Sequence, residues 1–467
     1  MNTPDIPFHA LADDFADAVK PANFPKQVLR FRNIRWAERV GLGALPDEYW
    51  MLYFASFEPL PGNLTHPLAM RYHGHQFGVY NPDLGDGRGF LFAQVRDDSG
   101  RLLDLGTKGS GQTPWSRQGD GRLTLKGGVR EVLAASYLEA LGVNTSKAFC
   151  LVETGEELWR NDEPSPTRSA VLTRLSHSHI RFGTFQRCAY FEDRAAMAKL
   201  VDYCVENFHP QADDPDMARK ACRLLEAVTQ ATATMIGQWM AAGFVHGVMN
   251  TDNFNITGET FDFGPWRFLP VSDPNFTAAY FDQNGLYRFG RQPVQGAWSL
   301  QQLASALLLL ADADDLAASL APYQEAYRDS FIAHTHALLG IAPTGEVEAD
   351  TDFLQSFYGW MTESEAVWPQ VFHDWFGGSA SEARAMQGPQ AALYEGEAFA
   401  PVKAAILSRD PVRPERAGAA MFQRAEPPKL LVEDVESLWA PIAESDDWSA
   451  FEAKLADFDA LRVARWG

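Results

Sequence analysis

Three groups of residues in this sequence have the types and spacing to handle a nucleotide polyphosphate. The first is Leu84-Gly-Asp-Gly-Arg-Gly89, immediately before an apolar run that reads as a strand. Glycine at Gly85 and Gly87 removes the Cβ atoms that would keep a polyphosphate away from backbone N–H groups. Arg88 adds a guanidinium able to pair with phosphate. Taken alone, the same hexapeptide also suits a plain Asp-Gly turn. The second is Lys108, which closes the strand after a hairpin, with Glu131 following near the start of a helix. Glycine-rich loop, strand, turn and lysine-bearing strand is the order by which kinase-like proteins bring an ammonium to the α- and β-phosphates, with a helix glutamate as its partner. Asp120-Gly-Arg122, between Lys108 and that helix, adds a flexible polar turn near the same place.

The third group is His246-Gly-Val-Met-Asn-Thr-Asp-Asn253, followed by Asp262-Phe-Gly264. Kinase catalytic loops read H-R-D-L-x-x-x-N and are followed by D-F-G. His246 and Asn253 keep that spacing, and Asn253 and Asp262 are hard oxygen donors suited to Mg²⁺ bridging phosphates. The partly apolar stretch between them suits a strand hairpin. His246 itself reads as backbone support rather than chemistry. One position is wrong for phosphoryl transfer: the catalytic aspartate is replaced by Val248, which cannot accept a proton. The nearest carboxylate is Asp252. Either the chain only binds a nucleotide, or the reacting phosphorus lies elsewhere and Asp252 acts as the base.

These residues need elements to hold them. Residues 89–96 and 101–108 read as two strands around the turn cluster Asp97-Asp-Ser-Gly100. Helical spacing of Val129, Val132, Leu133, Tyr137, Leu138 and Leu141 predicts a helix over about 128–141, stopped by Gly142. Residues 148–153 and 169–174 read as further strands. From about residue 190 helices dominate: 191–207, 217–243, 298–310 and 322–339 all carry the pattern. Two more, 363–375 and 434–458, are expected to break at Pro369 and Pro441. The fold class is therefore α+β, with a β-rich kinase-like N-lobe over residues 1–180 and a larger α-helical C-lobe over 181–467. The irregular segment 246–270 falls where the second lobe could face the first.

Composition narrows the partners. The 467 residues carry 61 Asp and Glu against 40 Lys and Arg, a formal net charge of −21. Such a surface repels phosphate backbones, so no nucleic acid partner is expected, and a nucleotide site must assemble its own local cations. No apolar run approaches the roughly 20 residues of a membrane span. The N-terminal residues lack a basic start and apolar core, so a cytoplasmic protein with no membrane partner is expected. Cys150, Cys188, Cys204 and Cys222 show no paired metal-ligand spacing and read as thiols in a reducing compartment.

With those motifs in view the chain resembles the selenoprotein O family, protein adenylyltransferases with a pseudokinase fold. The resemblance rests on Tyr72-His-Gly-His-Gln-Phe-Gly78, the Leu84–Gly89 loop, Lys108-Gly-Ser-Gly-Gln-Thr-Pro-Trp-Ser-Arg117 and Gly119-Asp-Gly-Arg122. It continues through Val129-Arg-Glu131, Ser178-His-Ile-Arg-Phe-Gly183, the His246–Asn253 loop and Asp262-Phe-Gly-Pro265. It implies ATP bound in a flipped orientation and AMP transferred to Ser, Thr or Tyr hydroxyls of protein substrates, with Mg²⁺ (or Mn²⁺) and release of pyrophosphate. Transfer of UMP from UTP and a non-catalytic nucleotide-binding scaffold are the alternatives. The resemblance implies nucleotide contacts from Gly85, Gly87, Arg88, Lys108, Asp120, Gly121, Arg174, Arg181 and Asp262. Asp252 would be the general base, Asn253 and Asp262 the metal ligands, and Glu131 the residue that orients Lys108. His73, His75 and Phe77 read as structural. The family often carries a cysteine or selenocysteine near the C-terminus; this chain has none after Cys222, so thiol control is not expected.

Overall fold

The computed structural model describes residues 6–467. Twelve strands are arranged in chain order as β1 (Ala16–Ala18), β2 (Val28–Arg32), β3 (Leu68–Met70), β4 (Gly74–Gln76), β5 (Val79–Asn81), β6 (Leu91–Arg96), β7 (Leu102–Lys108), β8 (Leu123–Thr124), β9 (Lys147–Leu158), β10 (Thr167–Ser176), β11 (Phe244–Val245) and β12 (Arg267–Phe268). Eight of them form one antiparallel sheet in the order β1-β3-β6-β7-β10-β9-β2, with β8 paired to β10. The expected hairpin is β6–β7. Its turn is locked by the Asp97 carboxylate, which accepts from the Ser99 N–H and hydroxyl and from the Arg101 N–H.

Strand alternation decides which residues reach the site. On β7, Leu103 and Leu105 point into an aromatic core with Trp50, Phe54, Phe90, Phe92 and Phe149. Lys108 has the opposite parity, and Leu172 and Arg174 of β10 lie beside Lys108 and Gly106 in the register. Lys108 and Arg174 thus share the face away from the aromatic core. Over that face lies helix α1 (Leu125–Ala140), whose N-terminus is capped by the Thr124 hydroxyl accepting from the Gly127 N–H at 3.0 Å. Its apolar stripe, Val129, Val132, Leu133 and Leu138, is fully buried.

The C-terminal part is helical, as expected: α2 (Phe182–Tyr190), α3 (Arg194–Phe208), α4 (Met217–Ala242), α5 (Gln292–Leu307), α6 (Tyr323–Leu339), α7 (Val347–Glu363), α8 (Val432–Ser445) and α9 (Ser449–Trp466). Three sequence expectations are corrected. Residues 347–363 form a full helix, so the chain is already turning out of a helix where 363–375 was expected to begin one; a short helix, Trp368–Asp374, carries Pro369 in its first turn. Pro441 does not break α8, because Val435, Leu438 and Ile442 are held in the core around it; the break falls at Asp446, whose φ is 54°. No hairpin forms between Asn253 and Asp262. Instead β11 and β12 flank the whole loop and pair with each other.

Helices α8 and α9 return to α1 and the sheet. Lys126 pairs with Glu436 at 2.7 Å, and the Trp466 indole N–H donates to the Ala140 carbonyl at 3.0 Å. Asp446 pairs with Arg30 of β2 and Arg168 of β10, at 2.9 and 2.6 Å.

Candidate active site

A cleft of about 720 Å³ opens between the sheet and the helical part. It is lined by Gly85, Gly87, Arg88, Lys108, Asp120, Gly121, Arg174, Arg181, Asp252, Asn253 and Asp262. Of the residues predicted from sequence, Glu131 alone does not line it. It stands behind Lys108, buried, with its Oε1 accepting from the Lys108 ammonium.

The glycine-rich loop is roofed by a second loop. Trp115 packs over Gly85, where an added Cβ would come within 2.3 Å of the indole, and the Thr113 hydroxyl donates to the Asp86 carbonyl at 2.6 Å. Ser116 bonds the Gly87 carbonyl, and the Trp115 indole N–H reaches Asp17 at 3.0 Å. Asp120 is paired at 2.8 Å with Arg160, and Arg122 at 2.8 Å with Glu156.

Three cations converge on one carboxylate. Asp262, with φ of 60°, accepts from Lys108 at 2.9 Å and Arg174 at 3.1 Å, and lies 3.9 Å from Arg181. Burial alone would raise its carboxyl, but Lys108, Arg174 and Arg181 outweigh that and hold it well below the ordinary carboxylate value. Asp262 is therefore ionised, with three cations gathered around it at the cleft wall. Arg181 also meets Asp86 at 3.2 Å.

Asp252 is the opposite case. It follows Thr251 in a short 3₁₀ turn, Thr251–Asn253, at the cleft floor. Its Oδ1 is shut off from solvent and meets no hydrogen-bond donor among the described residues. Burial pushes the carboxyl up to about 7, against the pull of Arg181. A carboxyl that gives and takes a proton near neutrality is the form a general base requires. Neighbouring Asn253 donates through Nδ2 to the Val248 carbonyl at 2.9 Å, so its Oδ1 could serve as a metal ligand. His246 is buried, stacked on Trp239 at 5.3 Å, with Nε2 beside the Phe261 carbonyl at 3.1 Å; it supports the loop.

These residues fit a nucleotide polyphosphate with a divalent cation. The Gly87 cradle lies against the Trp115 carbonyl, which a Cβ would approach to 2.9 Å. Among the described residues no cluster of three or more His, Cys, Asp or Glu side chains gathers as a metal cage. Asn253 and Asp262 would hold Mg²⁺ through two oxygens and leave its other positions to phosphates and water, the usual arrangement for that ion.

Several site residues escape a reading of sequence alone. Asp86 was visible inside the glycine loop, but nothing in the spacing says that its carboxylate accepts from the Met70 N–H and pairs with Arg181. Asn250 anchors the 246–253 loop by accepting from the Tyr287 hydroxyl at 2.7 Å, a partner 37 residues away. His73 and His75 are structural as expected, bonded to Tyr80 and Gln186 at 2.8 Å each. Phe77 is structural too, its N–H donating to Asn250 Oδ1 at 3.2 Å, while its side chain is 39% exposed.

The chain is similar to known proteins over most of its length. The model of the family described as protein adenylyltransferase SelO matches residues 5–458. A Synechocystis sp. protein named protein nucleotidyltransferase YdiU is 41% identical over 95% of this chain and 94% of its own length. Proteins of the same name from Gloeobacter violaceus and Vibrio cholerae are 42% and 40% identical, covering 95% and 79% of this chain and 92% and 73% of their own. A match of that extent, together with the glycine loop, Lys108 and the 246–264 loop around one cleft, places the chain in the SelO family.

Proposed function

We propose that the chain is a protein adenylyltransferase on a kinase-like, two-lobed scaffold, moving AMP from ATP to a Ser, Thr or Tyr hydroxyl of a protein and releasing pyrophosphate. The observation that carries this reading is the pairing of Val248 with Asp252. The position that serves γ-phosphoryl transfer holds no carboxylate, while a second carboxyl close by, with one oxygen free of any hydrogen bond, is raised to about 7 by burial. In this scheme Asp252 takes the proton of the acceptor hydroxyl as its oxygen bonds to the α-phosphorus. The bond from the α-phosphorus to the bridging oxygen breaks, and its electron pair leaves with pyrophosphate. Lys108, Arg174 and Arg181 stabilise the charge on the leaving group. Glu131 keeps Lys108 aimed at the cleft. Mg²⁺ (or Mn²⁺), held by Asn253 and Asp262, would supply Lewis-acid neutralisation of the phosphates.

The test is incubation with ATP labelled separately at the α and γ phosphates, with label counted on protein. Label from the α position alone is expected. Comparable transfer from the γ position would overturn the reading, and a preference for α-labelled UTP would reassign the nucleotide.

A further inference from the structure

The hairpin β4–β5 turns at Phe77-Gly78, both with positive φ (51° and 78°). A phenylalanine is rarely held in that region without a compensating contact. Here the contact is with the catalytic loop: the Phe77 N–H donates to Asn250 Oδ1 at 3.2 Å and to the Tyr287 hydroxyl at 3.1 Å, and the His75 N–H to the Thr251 hydroxyl at 2.7 Å. A Cβ on Gly74 would lie 3.1 Å from Asp252 Oδ1. The hairpin is therefore bolted beside the base, while its tip faces outward. Phe77 is 39% exposed and Val79 70%. Phe77 meets Phe281 at 5.8 Å, and Phe281 meets Tyr280, which is 82% exposed.

Both contributing segments, Gln76-Phe-Gly-Val-Tyr-Asn81 and Phe276-Thr-Ala-Ala-Tyr-Phe281, lack any charged residue in a chain that is 22% charged. An uncharged aromatic surface left in water beside Gln76, which lines the cleft, marks a place where something apolar is received. The hairpin that carries part of it is bonded to Asn250 and Thr251, next to Asp252, and any acceptor hydroxyl must reach that carboxyl. We propose that Phe77, Val79, Tyr280 and Phe281 form an acceptor ledge that grips apolar side chains flanking the modified hydroxyl in an extended segment of the protein substrate. This rests on the transferase reading above.

The probe is an unstructured acceptor tail fused to a carrier protein, in two versions. The residues beside its Ser, Thr and Tyr are Leu in one and Gly in the other. With α-labelled ATP, the full chain is expected to label the Leu tail at least about tenfold more efficiently, as burial of apolar side chains would give. The double variant Tyr280→Ser, Phe281→Ser should reduce that preference to about twofold or less while ATP affinity stays unchanged, which also shows that it folds; Val79→Ser should reduce it partway. Equal labelling of the two tails by the unaltered chain would overturn the ledge and leave the transferase intact. A preference that survives the double variant would overturn it too. Failure to label either tail or the chain itself from α-labelled ATP would remove the transferase reading and the ledge with it.

Discussion

Replacing Asp252 by asparagine should stabilise the fold above neutral pH while destroying transfer. Burial raises this carboxyl from 3.8 to about 7. The folded chain thus holds the proton more tightly than the unfolded one, so stability falls as pH rises from about 4 and the full penalty is present above about 7. The shift corresponds to about 4 kcal/mol at 1.36 kcal/mol per tenfold. Asp252 lines an open cleft, where water screens part of the charge, leaving roughly 2 kcal/mol as the expected gain. Asparagine is neutral throughout, so the two proteins should unfold alike near pH 4 and separate progressively up to about pH 8. Urea denaturation of both proteins across that range, in a metal chelator and without nucleotide, measures the gap. Turnover should fall by roughly 10²–10⁴-fold, the range for a lost general base. A gap that does not change with pH, or an asparagine variant less stable at the alkaline end, would refute the argument that Asp252 is held ionised at a cost.

Asp262→Ala should weaken Mg²⁺–ATP binding and abolish transfer, whereas Asp252→Ala should leave that binding nearly intact; calorimetric titration beside a self-modification assay separates the two. Gly121→Ala should destabilise by roughly 1–3 kcal/mol and lower ATP affinity, because φ is 70° there and a Cβ would lie 2.3 Å from the Gly111 backbone; thermal unfolding and the same titration check it. Reductant should change activity little. Burial raises the thiols of Cys150, Cys204 and Cys222 and pushes Cys188 up to about 12, so they stay protonated and slow to oxidise; a several-fold activation lost on substituting one of them would contradict this.

The positions most legible in the sequence were those whose chemistry depends on residue type at short range. The glycines of the 84–89 loop, the β6–β7 hairpin and the helix bearing Glu131 were all readable from local pattern and lie where it put them. The environments of those residues were not readable. Asp252 and Asp262 are the same amino acid ten positions apart, yet one is raised toward 7 and the other held far down. The difference is made by Lys108 and Arg174, which arrive from β7 and β10. Pro441 shows the converse, a strong local signal overruled by the packing of Val435, Leu438 and Ile442 around it. Phe77 was read as structural and its N–H does hold the loop of Asn250, but nothing in the local sequence announces its positive φ or its exposure.

The grip of α8 and α9 on α1 also bears on how the molecule is made. Trp466, which closes over the end of α1, is synthesised 326 residues after Ala140, the residue it bonds. At about 5–20 residues per second, the helix that aims Lys108 waits roughly 15–65 s on the ribosome before that cover exists. During that interval Tyr137, whose ring later packs against Phe458 at 4.7 Å, has no such partner. A nascent chain is thus a client for whatever shields apolar surface during translation.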